Sequence, residues 1–111
     1  MSLDVYLHAT DLDGNKIQVF DANITSNLGK MAIEAGIYKV LWDPEEIGVT
    51  RAGDIVECLG NSLTDMKERP EHYKQFDPPN GWGSYEDFVP WIEAYLEACK
   101  KYPSAEIGIW K

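Results

Sequence analysis

The sequence predicts an α+β domain in which a three-stranded antiparallel sheet carries three to four helices on one face. Residues 3–10 alternate apolar and polar side chains, the middle of the chain shows helical spacing, and a second alternating run closes it. Strands at both ends with helices between them are typical of a sheet covered on one side. The chain has 111 residues, an ordinary size for one domain, so we expect a single core over residues 1–111.

The first two elements are predicted to form a β-hairpin. In the run 3–10, one face of the strand is apolar, with Leu3, Val5, Leu7 and Ala9. A segment rich in turn formers, residues 11–15, leads to a second β-like run at 17–20. The closing strand, 105–109, pairs most simply beside the first strand. The predicted spatial order is therefore 2-1-3.

Two short helical segments are predicted next. The residues Asn23 to Asn27 include several possible N-caps, and apolar residues at helical spacing follow over 28–35. Gly36 is expected to end this helix in a left-handed conformation. Residues 37–42 then add a helical turn or two, which Asp43 and Pro44 close.

Longer helices are predicted in the second half of the chain. Thr50 is a candidate cap for a helix whose apolar stripe is Ile55, Cys58, Leu59, Leu63 and Met66. Pro70 can begin a short helical piece that runs to Phe76.

The last helix is the best defined in the sequence. Ser84 and Asp87 match a capping box, and its apolar face is Phe88, Trp91, Ile92, Tyr95, Leu96 and Cys99. Pro90 lies beyond the first turn, which predicts a kink or a later helix start.

The net charge of the chain limits the kinds of partner that we expect it to bind. There are 19 acidic and 10 basic residues, which gives a formal net charge of −9, and only two of the basic residues are arginine. Nucleic acid is bound mainly through clustered Lys and Arg, so direct binding to it is not expected. The acidic surface either maintains solubility or faces a basic protein partner. No apolar run is long enough to span a membrane, and no signal peptide is visible, so we expect a cytoplasmic protein.

No catalytic, metal or cofactor site is predicted. His8 and His72 have no second His or Cys at ligand spacing, which argues against zinc. Cys58 and Cys99 lie on helical stripes among acidic residues, whereas a nucleophilic thiol needs an electropositive setting. The segment after Asp11 lacks the spacing of a calcium loop. We therefore expect a binding protein rather than an enzyme.

One candidate ligand site is the segment from Asp77 to Tyr85. Two prolines give it an extended entry, two glycines allow close approach, and Asn80, Trp82 and Tyr85 supply polar and aromatic groups. Together with Asn27, these residues form a candidate site for a small molecule; a nucleotide-like ligand that stacks on Trp82 is one alternative, and the sequence does not choose among ligands. The alternative is that Trp82 fills the core and the glycines only shape the entry to a capped helix.

The second candidate site is the outer face of the predicted sheet. If Leu3, Val5 and Leu7 face the helices, Tyr6 and His8 face outward, with Trp110 or Phe20 beside them. An aromatic solvent face suits a protein interface, commonly one with a second copy of the same chain.

The chain also resembles a family of small proteins of unknown function encoded by bacteriophages, prophages and their bacterial hosts. The resemblance covers nearly the whole chain and rests on residues 4–7, 23–32 (NITSNLGKMA from Asn23), 35–38, 79–85 (PNGWGSY) and 102–107. It implies an origin in a mobile element and a host protein as partner, and it carries over no catalytic residue. It also suggests that the start of the first helix and the loop Asn80–Tyr85 act together.

The sequence therefore predicts two alternative functions. The first is a small acidic interaction protein that binds a protein partner, with a homodimer among the possible forms. The second is a small-molecule binder or enzyme that uses the Asn80–Tyr85 loop.

Overall fold

A three-stranded antiparallel sheet organises the molecule. The computed structural model describes all 111 residues. Strand β1 (Ser2–Thr10) lies between β2 (Lys16–Thr25) and β3 (Glu106–Trp110), which confirms the predicted order 2-1-3. The register places Leu7 opposite Phe20 on one side and Ile107 on the other. The hairpin strand β2 is longer than predicted, because its pairing with β1 continues to Thr25.

The alternation in β1 decides which face of the sheet is covered. Leu3, Val5 and Leu7 have no exposed surface, and they join a core of 24 buried hydrophobic residues that the helices complete. Burying a leucine or valine side chain contributes roughly 1.5–3 kcal/mol. These three positions are therefore a main attachment of the sheet to the helical layer.

Five α-helices, more than the three to four predicted, cover the sheet. They are α1 (Gly29–Glu34), α2 (Tyr38–Trp42), α3 (Val56–Glu68), α4 (Pro70–Lys74) and α5 (Tyr85–Lys101). The two long helices, α3 and α5, pack on each other and carry the apolar stripes that the sequence predicts. Short 3₁₀ turns at 26–28, 44–47 and 52–55 precede or connect the helices.

Phe20 faces the core and not the solvent. A bulge between Leu7 and His8 leaves Val19 as an extra residue in β2, and Phe20 pairs with inward-facing Leu7. Its ring stacks on Tyr95, with centroids 5.9 Å apart and planes 9° from parallel. The suggestion that Phe20 lies on the outer face is therefore wrong, because residues directly opposite in a ladder share a face.

The entry to α3 differs from the predicted one. Thr50 does not cap a helix; its carbonyl accepts a hydrogen bond from Ile107 N at 3.0 Å, and Arg51 bridges to Glu106. The N-cap lies one residue later, where Asp54 Oδ2 accepts from Arg51 N at 3.2 Å. Thr50 and Arg51 thus run along the edge of β3, and Ala52 and Gly53, which begin the 3₁₀ turn at 52–55, bond to Ala105 and Pro103 just before that strand.

Helix α5 begins directly after the predicted capping residue, Ser84. Ser84 Oγ accepts a hydrogen bond from Asp87 N at 3.2 Å, and the helix begins at Tyr85. The expectation of a later start after Pro90 is wrong. Pro90 removes only one intrahelical bond, the one to the Glu86 carbonyl, and it lies on the exposed side of the helix, where water can solvate that carbonyl.

The tip of the hairpin projects from the body of the domain. Asp11 Oδ1 accepts hydrogen bonds from Asp13 N and Asn15 N, at 2.9 and 2.8 Å, and Gly14 takes a positive φ of 85°. All residues from 12 to 18 are exposed. The turn is therefore ordered by its own local hydrogen bonds, those to Asp11 Oδ1 together with the backbone bonds from Asp11 N to Asn15 O and from Gly14 N to Asp11 O, and not by the core.

A charged cluster links α3 to α4. Asp65 accepts hydrogen bonds from Arg69 Nη2 at 2.7 Å and from the Tyr73 hydroxyl. The bond from Arg69, and then that from Tyr73, lower the pKa of Asp65 to about 2. Hydrogen bonds to the ionised form favour it. The cluster therefore exists in full only while Asp65 is charged.

This cluster predicts a loss of stability in acid. The pKa of Asp65 is lower in the folded chain than the value of about 3.9 of an unfolded one, so its contribution is present above that pH. The contribution of Asp65 to the free energy of unfolding should disappear as the pH falls from about 4 to about 2. Urea unfolding at pH 5, 3 and 2 should show a smaller decline for Asp65→Asn than for the wild type. Asp13→Asn, at the hairpin tip, is the control and should decline like the wild type; equal slopes for all three proteins would contradict the assignment.

Candidate functional site

The loop that precedes α5 is shaped by its own polar side chains. Asp77 Oδ1 accepts a hydrogen bond from Tyr85 N at 2.7 Å, and Asn80 Oδ1 accepts one from Trp82 N at 3.0 Å. Gly81 and Gly83 take positive φ values of 77° and 100°. Left-handed conformations of this kind favour glycine. The loop therefore has one defined course, and Asn80 serves its turn.

Gly83 brings this loop against the first helical segment. A Cβ atom added at Gly83 would lie 2.6 Å from Thr25 Cγ2 and 3.1 Å from Leu28 Cγ. Thr25 in turn caps the turn at 26–28 by accepting a hydrogen bond from Asn27 N at 3.3 Å. The start of the first helix and the loop thus meet in space.

This contact creates the Trp82 depression, a shallow concavity of about 420 Å³. Its lining residues are Met1, Ser2, Asn23, Thr25, Asn27 and Trp82. The side chain of Trp82 is 71% exposed. The interpretation in which Trp82 fills the core is therefore wrong, and of the four predicted ligand residues only Asn27 and Trp82 line the depression.

Tyr85 is a core residue and does not reach the depression. Its side chain is buried, and its hydroxyl donates a hydrogen bond to the Met66 carbonyl at 2.8 Å. This bond ties the start of α5 to the end of α3. Proximity in sequence to Trp82 does not place the two rings together, because Tyr85 is the first residue of the helix and turns inward.

Two buried tyrosines should respond in opposite directions to loss of the hydroxyl. Tyr85→Phe removes a satisfied hydrogen bond and should lower the free energy of unfolding by about 1 kcal/mol. The Tyr95 hydroxyl is buried without a partner in the protein, so Tyr95→Phe should raise that free energy by about 1 kcal/mol. Urea unfolding measures both. A loss of stability in Tyr95→Phe would show that its hydroxyl is satisfied.

The second predicted site is the outer sheet face, the side of the sheet away from the helices. Its residues include Asp4, Tyr6, His8, Lys16, Gln18, Asp21, Asn23, Glu106, Gly108 and Trp110. The rings of Tyr6 and His8 lie 6.3 Å apart, and a Cβ atom added at Gly108 would lie in van der Waals contact with both residues, 3.6 Å from Tyr6 Cβ and 3.7 Å from His8 Cε1. Trp110, in the row of Asp4, is 71% exposed. The three predicted interface residues therefore share one face.

Polar contacts frame these rings. Lys16 Nζ lies 2.9 Å from Glu106 Oε2, and this hydrogen bond, with the charge of Lys16, lowers the pKa of Glu106. Asn23 Nδ2 donates to Asp4 Oδ1 at 2.7 Å. Asn23 also lines the Trp82 depression, so the two predicted sites adjoin each other at this residue.

A third concavity, which the sequence did not indicate, lies beside β3. This β3-edge groove has a volume of about 740 Å³. One wall is the turn at 44–47, and the other is the strand edge at 106–109. It arises because Thr50 and Arg51 join the edge of β3 from far away in the chain. No local sequence pattern predicts a pairing between segments so far apart.

Neither cysteine lies in a setting that favours its reactive, ionised form. Burial raises the pKa of the Cys99 thiol to about 12 and also raises that of Cys58, so neither favours the thiolate. His72 Nε2 lies 2.8 Å from Glu34 Oε1 on the helical side. Nowhere do three or more His, Cys, Asp or Glu side chains come together as metal ligands.

Helix lengths and apolar content are too low for any helix to cross a membrane. The chain matches no protein-family model, no characterised protein and no solved structure.

Proposed function

We propose that the protein is a non-enzymatic interaction module that binds a protein partner through its outer sheet face. The observation that carries this proposal is the placement of Tyr6, His8 and Trp110 on the one face of the sheet that no helix covers. Tyr and Trp are enriched at protein interfaces and dominate their binding energy.

Charge favours a basic partner surface. The chain carries a net charge of −9, and the outer sheet face adds Asp4 and Asp21 around its rings, while its third acid, Glu106, is already paired with Lys16 and Arg51. Opposite charge on the partner raises the association rate and disfavours wrong partners. The resemblance to phage-associated proteins makes a host protein in the cytoplasm the partner we propose. A second copy of this acidic face is less favourable, because like charges would meet across the interface.

The proposal predicts that Trp110 is a binding hot spot. Trp110→Ala should weaken partner retention by about 30-fold, the effect of losing roughly 2 kcal/mol. The measurement is quantitative affinity capture from host lysate with wild-type and variant baits. Ile33→Ala removes an exposed apolar side chain from α1 and is the control. Retention that is equal for all three baits would contradict the proposal.

Light scattering distinguishes the kind of partner. A monomer at micromolar concentration that still retains a host protein supports a heterologous complex. A dimer that Trp110→Ala converts to a monomer would instead make the partner a second copy.

The Trp82 depression supports a second candidate function, the binding of a small ligand with a flat ring. An exposed indole beside Asn23 and Asn27 offers a stacking surface next to amide donors and acceptors. Titration with AMP, GMP, CMP and UMP, followed by amide chemical shifts, tests it. Shifts that centre on residues 23–27 and 81–83 and vanish in Trp82→Ala would support it. No shift at millimolar ligand would exclude these mononucleotides.

A further inference from the structure

We infer that the β3-edge groove binds an extended basic peptide, which pairs with β3 as an added strand. The groove lies along an edge of the sheet and shares only Glu106 and Gly108 with the outer sheet face. It contains none of Tyr6, His8 and Trp110, so this inference does not depend on the function proposed above.

The backbone of β3 has hydrogen-bonding groups that β1 does not use. Ile107 N donates to the Thr50 carbonyl, so the backbone of Ile107 points away from β1. In an antiparallel ladder, this direction alternates from one residue to the next. The backbone of Ile109 therefore points the same way as that of Ile107, toward the groove.

The strand position beside β3, on the side away from β1, is occupied for only part of its length. Residues 50–53 fill it with three bonds: Ile107 N to Thr50 O, Ala52 N to Ala105 O, and Gly53 N to Pro103 O. Before Thr50 the chain leaves the edge through Gly48, whose φ is 73°, and Val49 N bonds instead to the Pro44 carbonyl at 3.0 Å. The groove lies where this strand would have continued along Ile109.

The groove combines apolar and acidic side chains. Trp42, Val49, Ile107 and Ile109 supply apolar surface on the side of the core, where alternate side chains of an added strand would lie. Four carboxylates line it, from Asp43, Glu45, Glu46 and Glu106, against the two cations Arg51 and Lys111. Added strands gain affinity from the main chain and specificity from alternate side chains.

The carboxylates differ in how far they are already neutralised. Asp43 pairs with Lys111, and Glu106 pairs with Lys16 and Arg51. Glu46 reaches Lys39 only at 3.9 Å, and Glu45 makes no ion pair. Two exposed acids thus remain for a ligand, and the occupant that complements them carries Lys or Arg.

The probe is a capped, fluorescein-labelled peptide of seven residues that alternates Lys and Val. Fluorescence anisotropy should show binding to the wild type, and amide shifts should centre on residues 107–111 and 43–50. Glu45→Lys with Glu46→Lys should weaken binding at least about tenfold. Glu57→Lys with Glu68→Lys changes the net charge equally on α3, outside the groove, and should weaken it far less.

Two further tests separate strand pairing from charge alone. The same peptide with every backbone nitrogen methylated keeps its charge, and it should lose binding. Ile109→Pro removes one N–H from the groove and should weaken binding, whereas Ile109→Val should not; the peptide test stands if the proline variant fails to fold. Equal binding of both peptides, shifts that centre on Tyr6 and His8, or no binding at 1 mM would each overturn the inference. Trp110→Ala should leave this binding unchanged, which separates its failure from that of the proposed function.

Discussion

Replacing Gly83 with alanine is expected to lower the free energy of unfolding by about 3 kcal/mol, through two effects that act together. The residue has a φ of 100°, a value that L-residues rarely adopt. Its added Cβ would also lie 2.6 Å from Thr25 Cγ2, closer than van der Waals contact allows. Either the loop or the start of the first helix must move.

Gly81→Ala separates the two effects. Gly81 also has a positive φ, 77°, but nothing lies within 4 Å of an added Cβ. The strain alone should cost about 1 kcal/mol. Urea unfolding of both variants measures the difference, and equal losses would show that the contact with Thr25 has no energetic weight.

Gly83→Ala should also change the Trp82 depression. The loop carries Trp82, and its position depends on the close approach of Gly83 to Thr25 and Leu28. Amide shifts at Asn23 and Asn27 should therefore move in Gly83→Ala and stay in place in Gly81→Ala. This readout links the packing of the loop to the second candidate function.

The second large effect is expected for Leu7→Ala, which should lower the free energy of unfolding by about 3 kcal/mol. Leu7 is fully buried and sits in the central strand, between Phe20 on β2 and Ile107 on β3. Truncation leaves a cavity under the helices. The surrounding strands cannot collapse into it without breaking their register.

Leu12→Ala is the matched control. Leu12 lies at the hairpin tip and is fully exposed, so the same change there should alter stability by less than about 0.5 kcal/mol. Thermal or urea unfolding compares the two. A loss below about 1 kcal/mol for Leu7→Ala would indicate that the sheet is not joined to the helices through this residue.

Most of the fold could be predicted because its signals are local. The alternation of Leu3, Val5 and Leu7 defines a buried face without reference to any other segment. The capping signal at Ser84 correctly predicts the residue at which α5 begins. With strands only at the two ends of the chain, the order 2-1-3 was the simplest arrangement.

The errors in the prediction come from contacts between distant segments. Phe20, an alternative to Trp110 on the predicted outer face, faces the core because one extra residue, Val19, shifts the register of β2. Thr50 resembles a helix cap, but its carbonyl is taken by Ile107, which lies 57 residues away. Its partner appears only when β3 docks beside β1.

The candidate sites could be predicted only where local sequence patterns, and not contacts between distant segments, decide the position of their residues. Tyr6, His8 and Trp110 share a face because strand parity places them there. Tyr85 and Trp82 are three residues apart yet lie on opposite sides of a backbone that changes from loop to helix. The β3-edge groove depends wholly on long-range pairing, and no residue in it stands out in the sequence.

The exposed hairpin tip has a practical consequence for labelling. Because the bend between Asp11 and Asn15 is held by the carboxylate of Asp11, and the side chain of Leu12 is fully exposed, a cysteine placed at Leu12 can carry a fluorophore outside the core. Cys99 is buried and Cys58 half-buried, so a dye should react with the new thiol first. The Leu12→Cys variant thus provides a labelling site for following complex formation in solution.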